Sequence, residues 1–473
     1  MKKVFISGHF NILHPGHLRL FRFARDLGDR LVVAVYSDRM AGRNVLVPEH
    51  LRLEALQSNN WIDEVLLIDK PVEEVLRELR PDVVVKGKEH ESLFNIEKSV
   101  LEEYGGRLVF SSGEAIFSSF DLIYNELERQ LALFQLPADF LERHNLSTTQ
   151  MASRIDKFHQ LNVLVLGDLI IDEYITCESL GMSQEDPTIV VTPIESKRFI
   201  GGAGIVAAHA ASLGAKVHFI SVTGTDAIRE FALEKMSEFS VDAFLLADES
   251  RPTTLKQRFR CKGKTLLRVS HLHQGAINIL LQQQIIEEVR QLLEHCDLLI
   301  FSDFNYGCLP NELVGQIVAL ASERAILMVA DSQSSSQSGD IARFKGMELI
   351  TPTEREARLS VRDNESGLVV LAENLRQHAD ARNVFLKIGE EGVIIHADVE
   401  KNGNWLTDRI PALNKLPVDV AGAGDSMLVV SAMALACGAD IWEAAALGSV
   451  AAGVQVSRVG NVPITPQDLI VQL

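Results

Sequence analysis

Two histidines three residues apart, His14 and His17, flank Gly16 in the run Gly8-His9-Phe10-Asn11-Ile12-Leu13-His14-Pro15-Gly16-His17. Far downstream, Gly422-Ala423-Gly424-Asp425 sets three small residues ahead of a carboxylate. Both patterns suit phosphate. Two imidazoles at that spacing can reach one phosphate chain and donate hydrogen bonds to charge growing on an α-phosphate and its pyrophosphate leaving group. Small residues leave a helix N-terminus bare as an anion hole, and an aspartate beside it can take the proton of an attacking hydroxyl. The first pattern points to nucleotidyl transfer, the second to phosphoryl transfer onto an alcohol. Together they read as consecutive steps of one pathway.

Neither pattern decides much alone. H-x-x-H also occurs in surface loops and incidental metal pairs, and G-A-G-D is also a tight turn with an N-cap aspartate. The elements around them carry the weight. Apolar runs at Val4–Ser7, Leu31–Tyr36, Val65–Ile68, Val83–Val85 and Leu108–Phe110 predict strands, and Leu20, Phe23, Ala24 and Leu27 share one helix face. Such alternation predicts a parallel sheet with helical crossovers, ending near Glu126. The histidines then sit between a strand and a helix, where α/β sheets bind ligands. Residues 127–159 read as a partly helical linker, broken at Pro137. A second α/β series opens at Asn162–Leu166 and continues through Val217–Ser221, Leu298–Ser302, Leu327–Asp331 and Val384–Ile388. Tyr174–Thr192 and Thr253–Val269 are extended without helices between and predict a small β-sheet covering a site. Ser426–Cys437 predicts a helix after the glycine motif.

The 473 residues exceed one core, so several domains are expected. A net charge of −18 argues against nucleic acid and anionic membranes as partners. No apolar run approaches a membrane span, and the N-terminal residues lack a signal-peptide pattern. Five scattered cysteines without a C-x-x-C pair fit a reduced, cytoplasmic protein.

The first 125 residues or so resemble the cytidylyltransferase-like nucleotidyltransferases, whose hallmark is G-x-F-D-x-x-H-x-G-H. Pro48, Arg52, Asn60–Val65, Pro81–Gly87 and Phe117–Ile123 add to the likeness. The resemblance implies a Rossmann-like domain in which His14 and His17 stabilise the transition state. It assigns Lys86, Ser118 and Ser119 to phosphates, Gly8, Phe10 and Gly16 to the nucleotide loop, and requires Mg²⁺. Asn11 stands where the pattern has Asp.

Residues 160–473 resemble the ribokinase-like carbohydrate kinases. The likeness rests on Gly167–Asp172, Gly201–Gly204, Thr351–Glu356, Lys387–Gly392 and the G-A-G-D motif, in order. It implies a ribokinase-like α/β domain with a small β-sheet lid. By it Asp425 is the base, and Gly422, Ala423 and Gly424 form the anion hole. Asp168, Asp172, Gly201 and Gly202 meet the sugar, while Lys387, Gly389 and Gly392 lie on the nucleotide side. Glu356 organises Mg²⁺ through water. Ile205, Thr353 and Ala421 replace polar residues of the pattern.

Both domains occur in the bifunctional ADP-heptose synthase family, with local likeness at Ser183–Pro187, Leu266–Arg268 and Ser302–Phe304. That family places the kinase first, so a swapped domain order is expected here. The implied enzyme phosphorylates a sugar or sugar phosphate with ATP and transfers a nucleotidyl group from ATP or CTP to a sugar 1-phosphate. Its product is a nucleotide-activated sugar for lipopolysaccharide or another glycan. The alternative is a transferase whose kinase-like domain serves regulation or oligomerisation. A homo-oligomer, with a dimer formed by the extended segments, is expected.

Overall fold

A computed structural model of the protein describes residues 2–11, 13, 15–42, 45, 47–87, 95–111, 134, 136–183, 185–261, 264–333, 339–398 and 406–473. The chain divides into two compact units, Met1–Leu131 and Ala132–Leu473.

The first unit is built on five parallel strands: β1 (Lys3–Gly8), β2 (Arg30–Tyr36), β3 (Glu64–Ile68), β4 (Val83–Lys86) and β5 (Arg107–Phe110). Their order is β3-β2-β1-β4-β5. Val4, Phe5 and Ile6, with Leu31 through Val35, are buried, as strands covered on both faces require. The order reverses between β1 and β4, which pair Val4 with Val83 and Phe5 with Val84. A crevice therefore opens at the carboxyl ends of these two strands. Three helices matter there. α1 (Pro15–Arg25) starts on a proline, α2 (Glu49–Gln57) carries Arg52, and α3 (Ile96–Glu102) carries Glu97.

The second unit opens with α4 (Ala138–Arg143) and α5 (Thr148–Asp156). Its strands are β6 (Asn162–Gly167), β7 (Leu169–Met182), β8 (Ile189–Gly202), β9 (Lys216–Thr223), β10 (Asp242–Ala247), β11 (Leu255–Cys261), β12 (Lys264–His271), β13 (Leu298–Asp303), β14 (Leu327–Ser332), β15 (Leu349–Ile350), β16 (Asn383–Lys387), β17 (Val393–Ala397) and β18 (Leu406–Ile410). Nine form one sheet in the order β10-β9-β6-β13-β14-β15-β16-β17-β18, antiparallel only at its β16–β17–β18 end. The other four form a separate sheet, β12-β11-β7-β8. This is the small lid the two extended segments predict. β7 leaves β6 after the single residue Asp168, so the lid grows directly from the main sheet.

Behind the main sheet lie α6 (Ala203–Ser212), α8 (Ala423–Ala436) and α9 (Ile441–Val456), all buried almost throughout. They show no polar stripe because they are enclosed on every side. α7 (Glu354–Val361) follows β15. Two findings differ from expectation. α8 begins at Ala423, not Ser426, so Asp425 lies inside its first turn. The stretch read as linker delivers Phe140, Met151, Ile155 and Phe158 into the core of the second unit.

Candidate functional site

Gly8 ends β1, and the chain turns sharply at Phe10, whose φ is 49°. The Phe10 ring packs edge-on against His17 at 5.1 Å, and His17 stacks on Phe21 in α1 at 6.2 Å. Gly16 lies in the first turn of the same helix, whose N-terminal N–H groups have no intrahelical carbonyl. His9 lies against Tyr36 at 5.2 Å, and burial together with the Arg52 guanidinium keeps its imidazole less basic than usual. Arg52 is buried: it donates to the carbonyls of Val47 at 2.7 Å, His9 at 2.8 Å and Tyr36 at 2.9 Å, and pairs with Asp38. It braces the loop instead of reaching outward. Asn11 Oδ1 accepts from the Val47 N–H at 3.4 Å, an acceptor's task that Asp would also perform.

Lys86 closes β4, beside the end of β1. Its Nζ donates to Glu97 Oε1 at 2.8 Å, and Glu97 is buried. Glu97 was not anticipated, since nothing local ties a helix carboxylate to a strand lysine eleven residues earlier. His14, Ser118 and Ser119 lie outside the described residues.

In the second unit one cavity of about 390 Å³ collects most of the predicted residues: Asp172, Gly202, Glu356, Lys387, Gly422, Ala423, Gly424 and Asp425. Gly422 caps α8 with φ of 79°, and a Cβ there would come within 2.6 Å of Asn461 Oδ1. A Cβ on Gly424 would meet Lys387 Nζ at 3.0 Å. The small residues thus keep the helix N-terminus open and a lysine beside it. Asp425 is buried, and burial with the neighbouring Asp331 pushes its carboxyl up to about 7, against the pull of Lys387. A carboxylate so placed can accept a hydroxyl proton near neutral pH.

Lys387 donates to both oxygens of Asp331, at 3.1 and 3.2 Å. Burial opposes its charge, but Asp331 and Glu356 outweigh that and raise its basicity. Asp331 in turn is raised by burial and by Glu356, against Lys387. Two neighbouring buried carboxylates, Asp331 and Glu356, fit a hard divalent cation, which favours carboxylate, phosphate and water oxygens. Among the described residues no three acidic, His or Cys side chains gather as a complete metal cage. Thr353 caps α7 in a capping box: its Oγ1 accepts from Glu356 N–H, and Glu356 Oε2 accepts from Thr353 N–H at 2.7 Å.

Asp172 meets Arg258 at 3.2 Å and Asn461 Nδ2 at 3.5 Å. Asp168 does not line the cavity. Its carboxylate is buried under the 304–308 loop and accepts N–H groups from Phe304 at 2.8 Å and from Tyr306 and Cys308 at 3.2 Å. Burial and nearby Asp303 lift it to about 6. Gly201 lies beside Gly202 at the end of β8, and Gly389 and Gly392 form the turn between β16 and β17 outside the cavity lining. Ile205 is fully buried in the core. Ala421 N–H donates to Asp419 Oδ1 at 3.1 Å, and Asp419 Oδ2 accepts from Tyr174 OH at 2.8 Å and Gly460 N–H at 3.1 Å.

Several lining residues were not foreseen. Lys256, Arg258 and Arg268 enter from the lid, and Gln333 and Asn461 from loops. The alternation of Lys256, Arg258 and Arg260 along one strand face is a readable signal for the first two. Arg268 stands directly across from Arg258 in the β11–β12 register, which the sequence does not display.

Residues 160–468 match the family described as pfkB family carbohydrate kinase, and residues 5–154 the family described as cytidylyltransferase-like. The chain is similar to the bifunctional protein HldE of Geobacter metallireducens, 30% identical over 335 residues, covering 70% of this chain and 65% of the relative. The HldE of Nitratiruptor sp. is 31% identical over 310 residues, covering 65% of this chain and 64% of the relative. The chain thus spans less than two thirds of the length of these relatives. In fold it resembles Arabidopsis thaliana ribokinase complexed with ribose and ATP, with a TM-score of 0.52, 16% identity, and coverage of 66% of this chain and 99% of that one. Escherichia coli phosphofructokinase-2 in complex with substrates and products gives 0.53 at 18% identity, covering 65% and 96%. Along this chain the transferase-like match precedes the kinase match. Nothing in these matches sets that order apart from the relatives', and the expectation of a swapped order is withdrawn.

Proposed function

We propose, on the premise that this chain belongs to the pfkB family of carbohydrate kinases, that it is a two-activity enzyme making a nucleotide-activated sugar. The second unit transfers a phosphoryl group from ATP to a sugar phosphate. The first moves a nucleotidyl group from ATP or CTP onto a sugar 1-phosphate and releases pyrophosphate. The observation that carries the kinase reading is the cavity in which Asp425, Lys387 and the bare start of α8 face the lid cations Lys256, Arg258 and Arg268.

Asp425 takes the proton of the acceptor hydroxyl, whose oxygen attacks the γ-phosphorus as ADP leaves. The first-turn N–H groups of α8 and Lys387 stabilise the negative charge of the transferred group. Asp172 and Asn461 receive sugar hydroxyls. Asp331 and Glu356 would hold Mg²⁺ through water, and the ion, when bound, neutralises charge on the ATP phosphates. The lid cations favour a phosphorylated sugar over a free one: Arg258 and Arg268 stand opposite each other, a like-charge pairing that an anion between them relieves. In the first unit His17 with His14 serves the α-phosphate, while Lys86, Ser118 and Ser119 hold the triphosphate.

The likeness to bifunctional HldE proteins supports an ADP-heptose-like product for lipopolysaccharide or another glycan. Among the described residues no helix is long and apolar enough to cross a membrane, and this reading places both activities in the cytoplasm, where ATP is supplied. A homodimer through the lid completes it. Exposed Leu180, Met182, Ile189, Ile194 and Leu267 support that contact, which sedimentation velocity would read as twice the chain mass.

The decisive test is ADP formation across a panel of sugar phosphates. Asp425→Asn should lose about 10²–10⁴-fold, the usual contribution of a general base. If wild type never exceeds that variant, the second unit is a binding or oligomerisation module. For the first unit, His17→Ala should abolish pyrophosphate release from ATP or CTP plus a sugar 1-phosphate. Unchanged release would remove His17 from the site.

A further inference from the structure

One oxygen of Asp425 is held by a residue outside the motifs. Gln333 Nε2 donates to Asp425 Oδ1 at 3.3 Å. Gln333 follows β14, and its backbone is fixed on both sides. Its N–H donates to the Asp303 carbonyl at 2.8 Å, and its carbonyl accepts from Asn305 Nδ2 at 3.0 Å. Ser332 Oγ donates to Asp303 Oδ2 at 2.7 Å, and Arg343 pairs with the same oxygen at 2.8 Å. The ends of β13 and β14 are thus cross-linked under Gln333, so the amide meets the carboxylate from a rigid base.

We propose that Gln333 is the positioning residue for the general base: its amide holds Oδ1 and leaves Oδ2 to meet the sugar's acceptor hydroxyl. This rests on the reading of Asp425 as the base. A donated hydrogen bond also favours the ionised carboxylate over the neutral acid. The charged groups acting most strongly on Asp425 are Asp331 from β14, Lys387 from β16, Asp172 from β7 and Lys256 from β11, and Arg258 and Arg268 of the lid and Glu356 of α7 line the same cavity. The carboxylates work against ionisation, the cations for it. Gln333 is a neutral donor added to that balance, and it selects one oxygen where the surrounding charges do not.

The full-length protein, labelled with carboxyl-¹³C aspartate, tests this without any substrate. Subtracting the Asp425→Asn spectrum isolates the Asp425 carboxyl, whose titration is followed by NMR. Gln333→Leu should move its midpoint upward by about one pH unit, the size of one hydrogen bond to a charged group. Gln333→Glu should move it further, by adding a like charge. In ADP-release assays Gln333→Leu should lower kcat about 10-fold and shift the acid limb of the pH profile in step, with KM for ATP within about 2-fold. Gln333→Met keeps the side-chain length and gives the same reading if the leucine variant does not fold. An unmoved midpoint in a folded Gln333→Leu or Gln333→Met protein overturns the proposal. Kinase activity surviving in Asp425→Asn overturns the base reading beneath it, which the NMR shift alone would not reveal.

Discussion

Asp425 binds its proton more tightly in the folded protein than in the unfolded chain, because burial and Asp331 disfavour its charge. The sign follows directly. Between the ordinary carboxylate range and about 7, the folded state holds the extra proton, so this group's contribution to stability falls as pH rises through that window. Asp425→Asn should therefore stabilise the protein more at pH 8 than at pH 5, by on the order of a few kcal/mol, read from urea midpoints at both values. If Asp425 is the base, as proposed, kinase activity should rise with pH through about 7, because the base must be ionised to act. Stability and activity then move in opposite directions across one pH range. Lys86 offers a second residue-level test. Removing it leaves Glu97 buried without its ion pair, so Lys86→Ala should cost about 3 kcal/mol. Lys86→Ala/Glu97→Gln should recover most of that loss in thermal melts, the sign of a coupled pair.

At the scale of elements, the apolar runs made the strands legible because the central strands are covered on both faces. The Gly422–Asp425 and Gly201–Gly202 stretches were legible because each motif is local. What stayed hidden is long-range. Asp168 looks like a sugar ligand at a strand end, and no pattern announces that the 304–308 loop folds its N–H groups onto it. Arg268, Gln333 and Asn461 reach the cavity only through the register of β11–β12 and the loops after β14 and α9. β15 is two residues long and leaves no periodic trace. Thr353, a departure from the expected Asn, is explained by the element it starts: threonine caps α7. Thr353→Ala should cost about 1 kcal/mol, and Thr353→Asn almost nothing, since both residues cap helices well. Within the lid, Arg268→Ala should raise KM for a sugar phosphate roughly 10-fold, about the value of one charge-assisted contact, while KM for ATP stays near wild type.

Over the whole molecule the charge of −18 repels anions, and the cavity of the second unit counters it locally with Lys256, Arg258, Arg268, Lys387 and the start of α8. Residues 136–158 belong structurally to the second unit, although the cytidylyltransferase-like match runs to residue 154. Phe140 packs edge-on to Trp442, and His144 stacks on that indole at 4.0 Å and bonds Asp408. A chain starting at residue 132 should therefore melt cooperatively. One starting at residue 160, stripped of Phe140, Met151, Ile155 and Phe158, should melt at least about 10 °C lower. Finally, Asp419 is shared by three segments: the lid through Tyr174, the phosphate loop through Ala421, and the stretch after α9 through Gly460. A carboxylate shared in this way acts as a message line. On the proposed kinase reading, linkage through this carboxylate should make the lid's hold on the sugar and the glycine loop's hold on the nucleotide depend on one another. Tyr174→Phe should then leave each deaf to the other, read as a KM for ATP that no longer changes with sugar-phosphate concentration.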